Sequence, residues 1–403
     1  MISVDDTERP GPTHTRIEEL DVIRGAALLG VLVMNLVHGF RKPFAYARGV
    51  APKESLSYTD RVVENVLYAI VEDKAMTLFS MLFGMGLAMF VLRAGCDGDA
   101  MRLLARRLAV LLLIGLLHAV FLWEGDILMP YAVAGFLSLL VIHRSDALLL
   151  VLGLALPAVF PLIAWKYPGL LPQGGPAAVA HYQKALSIYG HGTYGQVVAF
   201  RAPDIVTLRA HFLAVRGLAQ ILGNVLVGIF IWRAWFEQRH EWLFGVALGG
   251  LVIGGGYAIY RALLEFEPTS NAPATVLLRL GWNMTLVPLA MGYGAVLLIL
   301  LSFNAPRACL LTLAPVGRMA LTNYLVQSAI FSTIFYGYGR GLLGQRGVVD
   351  VVLMGLFVYA IQVIVSDVWL RCFQFGPAEW VWRSLTYGKR QPIAAVSFRR
   401  SGP

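Results

Sequence analysis

His118 stands eight residues before Asp126, and the acidic turn Trp123-Glu124-Gly125-Asp126 separates them, with Tyr131 following. A histidine beside a carboxylate can act as a general base, because the acid holds the imidazole in one tautomer. Arg106 and Arg107 precede His118, the second by eleven residues. The same interval separates Arg24 from Asn35. On a helix rising 1.5 Å per residue, eleven positions span roughly 16 Å, and both pairs fall on one face. Guanidinium groups at the mouth of two helices, with a polar residue deeper in each, suit an anionic substrate whose reactive end reaches inward. A third polar group, Arg318, Asn323 and Tyr324, lies in an otherwise apolar stretch with Gln327 and Ser328 just beyond. Interhelical hydrogen bonding is the competing role for His118, Asn35 and Asn323. Membrane-boundary anchoring is the competing role for the arginines.

The elements that must position these residues are apolar helices. Of 403 residues, 58% are hydrophobic and only 14% charged, whereas soluble domains carry about 25% charged residues. About ten runs approach the ~20 residues needed to cross a bilayer. They lie near 21–40, 75–92, 104–123, 126–142, 146–165, 213–236, 242–262, 282–303, 309–336 and 347–370. Backbone polar groups in lipid must be satisfied within the segment, so the expectation is an all-α polytopic transmembrane helical bundle forming a single domain over 1–403. The alternating ten-residue strands of a barrel do not occur.

Three polar segments flank the spans. Residues 53–74 predict an interfacial amphipathic helix, in which Ser57 and Asp60 resemble a capping box and Val62, Val63, Val66, Leu67 and Ile70 form a stripe. Residues 166–210 predict an external loop region folding back over the bundle. Residues 371–403 predict a cytoplasmic tail, rich in Lys and Arg. An excess of Arg at that tail, and at Arg93, Arg102, Arg106 and Arg107, places both termini inside under the positive-inside rule, in a bacterial inner membrane. The net charge of +9 follows the same rule and carries no nucleic-acid signature. Neither the cysteines nor the remaining histidines have metal-ligand spacing, so no metal is expected.

Five ordered motifs carry a family resemblance. They are Leu20-Asp21-Val22-Ile23-Arg24-Gly25, Phe79-Ser80-Met81-Leu82-Phe83-Gly84-Met85-Gly86, Gly115-Leu116-Leu117-His118 with Gly125-Asp126-Ile127-Leu128, the run Gly317 to Tyr324, and the closing Gly376 to Tyr387. Together they resemble the YeiB-like family of bacterial membrane proteins, a domain of unknown function (number 418), across nearly the whole chain. More distantly the chain is similar to integral-membrane acyltransferases, the sugar O-acetylating enzymes and the lysosomal heparan glucosaminide N-acetyltransferase. The first group has His where this chain has Asn35; the second resembles it in having Asn. That resemblance implies a membrane acyltransferase moving an acyl, here acetyl, group from cytosolic acyl-CoA to a hydroxyl or amine acceptor, whether small molecule, glycan or lipid. In this reading Arg24, Arg102, Arg106 and Arg107 hold the donor's phosphates. His118, oriented by Asp126, is the base, Asn35 or Asn323 donates to the oxyanion, and Arg318 and Tyr324 complete the binding surface. Membrane lipids and a second copy of the chain are the expected partners. The alternative is a transporter or exporter of a small or lipidic solute, with His118 and Asp126 handling protons.

Overall fold

The computed structural model describes residues 17–43, 56–94, 98–167, 175–211, 213–234, 242–263 and 273–394. The remaining residues, including 53–55 of the predicted interfacial segment and 395–403 of the tail, lie outside the described set. Among the described residues the secondary structure is helical, apart from an isolated bridge between Phe373 and Ala394.

The first half comprises α1 (Glu18–Asn35, continued by a π-helical turn Leu36–Phe40), α2 (Tyr58–Ile70), α3 (Lys74–Ala94), α4 (Gly98–Phe121), α5 (Leu128–Leu139), α6 (Asp146–Lys166), α7 (Pro176–His191) and α8 (Tyr194–His211). The second half comprises α9 (Leu213–Ala234), α10 (Leu243–Gly250, continued by a π-helical turn Leu251–Gly255), α11 (Gly256–Leu263), α12 (Pro273–Leu301), α13 (Asn304–Leu310), α14 (Ala314–Arg318), α15 (Ala320–Phe335), α16 (Val348–Cys372) and α17 (Pro377–Tyr387).

Eight segments among the described residues are long and apolar enough to cross a bilayer. A ninth is bent by 78° where Asn304–Arg318 meets Ala320–Phe335. The chain is therefore an all-α polytopic bundle. The run at 126–142 yields only the twelve residues of α5, about 18 Å of helix and too short to cross ~30 Å of hydrocarbon alone.

α1 runs through the middle, with Val22, Leu28, Leu32, Leu36 and Val37 buried. It packs against α14, α3, α16 and α15. Small residues set how closely these helices approach. A Cβ on Gly317 would lie 1.9 Å from the Asp21 carbonyl oxygen, and one on Gly84 of α3 would lie 2.1 Å from that of Val225 in α9. Such backbone contact is the usual device for helix association where lipid is as apolar as leucine.

One flanking segment folds differently from its sequence expectation. Residues 176–211 are two helices rather than a loop, because Tyr182, Ala185 and Tyr189 recur at helical spacing and bury one face of α7. The Pro/Gly composition that signalled a loop belongs to the stretch ahead of α7. In the tail, α17 packs on α4, and Trp382 Nε1 donates to the Arg107 carbonyl at 2.9 Å. α2 forms as expected, with Ser57 Oγ accepting from the Asp60 amide at 3.1 Å. Val62, Val66 and Ile70 of its stripe remain exposed while Val63 and Leu67 pack inward.

Candidate functional site

A cavity of about 270 Å³ opens among α1, α3, α4, α5, α14, α15 and α17. Helix direction sorts its lining. Arg24 precedes Leu28 and Val31 along α1, Arg107 precedes Leu111 along α4, and Arg318 precedes Leu321 and Tyr324 along α14 and α15. One end is thus cationic, formed by Arg24, Arg107, Arg318 and Arg383, and the lining beyond it is apolar and aromatic. The four arginines share the lining with one carboxylate, Glu379.

Each charged group is held in place. Arg24 pairs with Asp21 at 2.7 Å. Arg107 lies 4.3 Å from the Trp382 ring centre and Arg383 4.3 Å from that of Phe375, both cation–π stacks. Arg318 reaches the Gln374 carbonyl at 3.5 Å. Glu379 is engaged by the start of α15: it accepts from the amides of Leu321 and Thr322 at 2.8 and 3.1 Å and from the Thr322 hydroxyl at 2.5 Å. Those amides are among the orphan donors of a helix N-terminus, here capped by a side chain 58 positions away in sequence. Burial pushes the Glu379 carboxyl above the usual carboxylate range, and its hydrogen bonds only partly offset this.

Tyr324 lines the cavity and also touches a buried polar relay. The His118 ring lies 4.8 Å from the Tyr324 ring centre to centre. His118 Nδ1 is 2.9 Å from Asp126 Oδ1, and Nε2 is 2.8 Å from Ser328 Oγ. With a neutral ring and an ionised carboxylate, Nδ1 donates to Asp126 and Nε2 accepts from the Ser328 hydroxyl. The other Asp126 oxygen accepts from the Met129 amide at 2.8 Å in the first turn of α5, which fixes the carboxylate. The Tyr324 hydroxyl bridges the Gly125 carbonyl and the Ile127 amide at 3.4 and 3.3 Å, tying the acidic turn to α15.

A second buried cluster braces that turn from the other side. Glu124 lies 3.5 Å from Arg201 of α8 and accepts from the Tyr336 hydroxyl at 3.2 Å. Arg201, about 1% exposed, also donates to the Tyr189 hydroxyl at 3.2 Å. Phe40, in the π-helical turn after α1, stacks on Trp123 at 4.2 Å.

The residues singled out in sequence separate accordingly. Arg24, Arg107, Arg318 and Tyr324 line the cavity, and His118, paired with Asp126, touches the Tyr324 ring without itself lining the cavity. Arg102 does not belong to it: its side chain is 86% exposed and paired with Asp99. Arg106 is exposed as well, one helical position from Arg107 and turned toward Gly388. Asn323 points away from the cavity, donating to Ser366 Oγ at 3.0 Å and to the Val316 carbonyl. Asn35 ends α1 half-buried and is absent from the cavity lining. Sequence reasoning did not assign roles here to Ser328, Arg201 or Arg383. Ser328 carried a usable signal, since Leu321, Tyr324 and Ser328 recur at three- and four-residue steps on one face of α15.

Fold and site together define a polytopic α-helical membrane protein with an interior cavity lined by four arginines and by apolar and aromatic side chains. Comparison with known proteins places the chain in a family. The model described as "Protein of unknown function (DUF418)" matches residues 228–389, which include Arg318, Tyr324, Ser328, Glu379 and Arg383. The uncharacterized protein YxaH of Bacillus subtilis (strain 168) is 32% identical over 406 residues, covering 96% of this chain and 98% of that protein. The uncharacterized protein YeiB of Escherichia coli (strain K12) is 28% identical, covering 94% and 98%. An uncharacterized 39.9 kDa protein of Bacillus acidopullulyticus is 29% identical, covering 94% and 96%. The chain belongs to the YeiB-like DUF418 family of membrane proteins.

Proposed function

We propose that the protein is an acyltransferase of the bacterial cytoplasmic membrane, taking an acyl group, most simply acetyl, from a cytosolic acyl-CoA. The carrying observation is a cavity lined by four guanidinium groups and by Tyr324, whose ring touches a histidine fixed by a carboxylate. Guanidinium clusters recognise phosphate through charge-assisted and bidentate hydrogen bonds, which suits a donor bearing a diphosphate. The apolar lining beyond suits the pantetheine arm and the acyl chain. A volume of about 270 Å³ admits only the thioester end of so large a molecule, since whole-ligand pockets run to about 1,000 Å³. The nucleotide would remain at the rim, within reach of exposed Arg106 and Arg102. The positive-inside rule favours the arginine end on the cytosolic side.

In this reading Arg24, Arg107, Arg318 and Arg383 bind the donor, Tyr324 lines the path, and His118, oriented by Asp126, accepts the proton released as the acyl carbon changes partner. The acceptor is a hydroxyl or amine on a small molecule, glycan or lipid.

Calorimetric titration of acetyl-coenzyme A into the detergent-purified protein tests this. The wild type is expected to bind, and Arg107→Gln with Arg318→Gln to weaken binding at least tenfold. His118→Ala should bind normally and transfer nothing. No binding to the wild type would overturn the proposal, and proton-coupled uptake into sealed vesicles would put solute transport in its place.

A further inference from the structure

We infer that Ser328 is a covalent nucleophile that carries the acyl group between donor and acceptor. The inference rests on the acyltransferase reading for the identity of the donor, and on geometry for the nucleophile. Both nitrogens of His118 are already committed, Nδ1 to Asp126 and Nε2 to Ser328. An acceptor entering from outside would have to displace Ser328 before its proton could reach Nε2. The hydroxyl already in position is that of Ser328. A hydroxyl bonded to a histidine that a buried carboxylate orients is the constellation that activates serine in acyl-transfer enzymes, where geometry and not chain order defines it.

The placement fits the chemistry. Asp126, His118 and Ser328 come from the acidic turn, α4 and α15, with 210 positions between His118 and Ser328. All three are buried, at 7%, 2% and 1% exposure. A dry setting shields an ester from water between the two half-reactions. Tyr324 lies one turn before Ser328 on the same face and lines the cavity, so its movement would join the cavity to the relay. The longer 3.2 Å contact of Ser328 Oγ to the Tyr324 carbonyl gives the hydroxyl an alternative partner.

The steps balance without an added reagent. Ser328 Oγ attacks the thioester carbonyl while its proton passes to His118 Nε2. The carbon–sulfur bond breaks, and coenzyme A leaves as the thiol with that proton. An ester remains on Ser328. The acceptor hydroxyl or amine then attacks this ester, its proton moves to Nε2, and the bond to Oγ breaks as Ser328 takes the proton back.

A fluorophosphonate probe with an alkyl chain tests the nucleophile independently of the donor, since it labels activated serines by losing fluoride. The purified full-length protein would be incubated with the probe and the adduct located by tandem mass spectrometry, with a parallel incubation in acetyl-coenzyme A. Labelling of wild-type protein at Ser328 is expected, slowed at least a hundredfold by Asp126→Asn or His118→Gln. An acetyl adduct on the same peptide is also expected. The wild-type adduct is informative even where a variant fails to fold. Absence of label at Ser328, or undiminished acyl transfer by Ser328→Ala, would overturn the inference and leave donor binding intact. Labelling of Ser328 with no coenzyme A binding by calorimetry would instead overturn the choice of donor and keep the nucleophile.

Discussion

Breaking the Arg201–Glu124 pair should be costly one residue at a time and cheap when both are removed together. The two groups are 3.5 Å apart with side-chain exposures of 1% and 3%. At an effective dielectric of about 20, that separation corresponds to a gross attraction of about 5 kcal/mol, most of it offset by the desolvation of both ions. Arg201→Met strands a buried carboxylate with the Tyr336 hydroxyl, and Glu124→Gln strands a buried guanidinium. Each should destabilise by about 3–5 kcal/mol, while the double substitution should fall within about 2 kcal/mol of the wild type. The coupling would then exceed ~3 kcal/mol in a double-mutant cycle. Reversible unfolding in mixed detergent micelles, followed by tryptophan fluorescence, gives the three values. Because Glu124 is two residues from Asp126, the single variants should also slow probe labelling of Ser328 and the double variant should restore it. Single losses under about 1 kcal/mol, or losses that simply add, would refute the claim that this pair braces the acidic turn.

Gly84→Ala should sharply reduce the yield of monodisperse protein, because its Cβ would meet the Val225 backbone, whereas Gly86→Ala meets nothing within 4 Å and should be neutral or slightly stabilising on size-exclusion chromatography. Glu379→Ala should cost about 1–3 kcal/mol by leaving the Leu321 and Thr322 amides without their acceptor, read in the same unfolding assay. Glu379 has a raised folded-state pKa, so the native protein holds this proton more tightly than the unfolded chain. Its contribution is therefore most favourable at acid pH, near and below the ordinary glutamate value, and diminishes as pH rises through the folded value; Glu379→Gln should remove that slope. Arg102→Ala, at a site 86% exposed, should leave stability within about 0.5 kcal/mol of wild type.

The class of fold was legible because lipid forces long uninterrupted apolar runs, and each of the ten runs has a helical counterpart. Run length alone did not show that 126–142 shrinks to the twelve-residue α5, or that 309–336 bends by 78° between Arg318 and Ala320. The pairing of His118 with Asp126 could be read from a short separation joined by one tight turn. Ser328 could not be paired with them, because nothing local links positions 210 residues apart. Arg102, Arg106 and Arg107 are equivalent as basic residues, but a helix turns 100° per residue, so only Arg107 faces the cavity. Arg201 fell in a segment whose leading prolines and glycines masked the helical spacing of Tyr182, Ala185 and Tyr189.

The most direct measurement follows labelled acetyl groups from acetyl-coenzyme A into membrane extract, using inverted vesicles that carry either the wild type or His118→Ala. The wild type is expected to move label into a hydroxyl- or amine-bearing product, and the variant, equally abundant in the membrane, to move none. Equal transfer by the variant, or no transfer by the wild type above vesicles lacking the protein, would contradict the proposal.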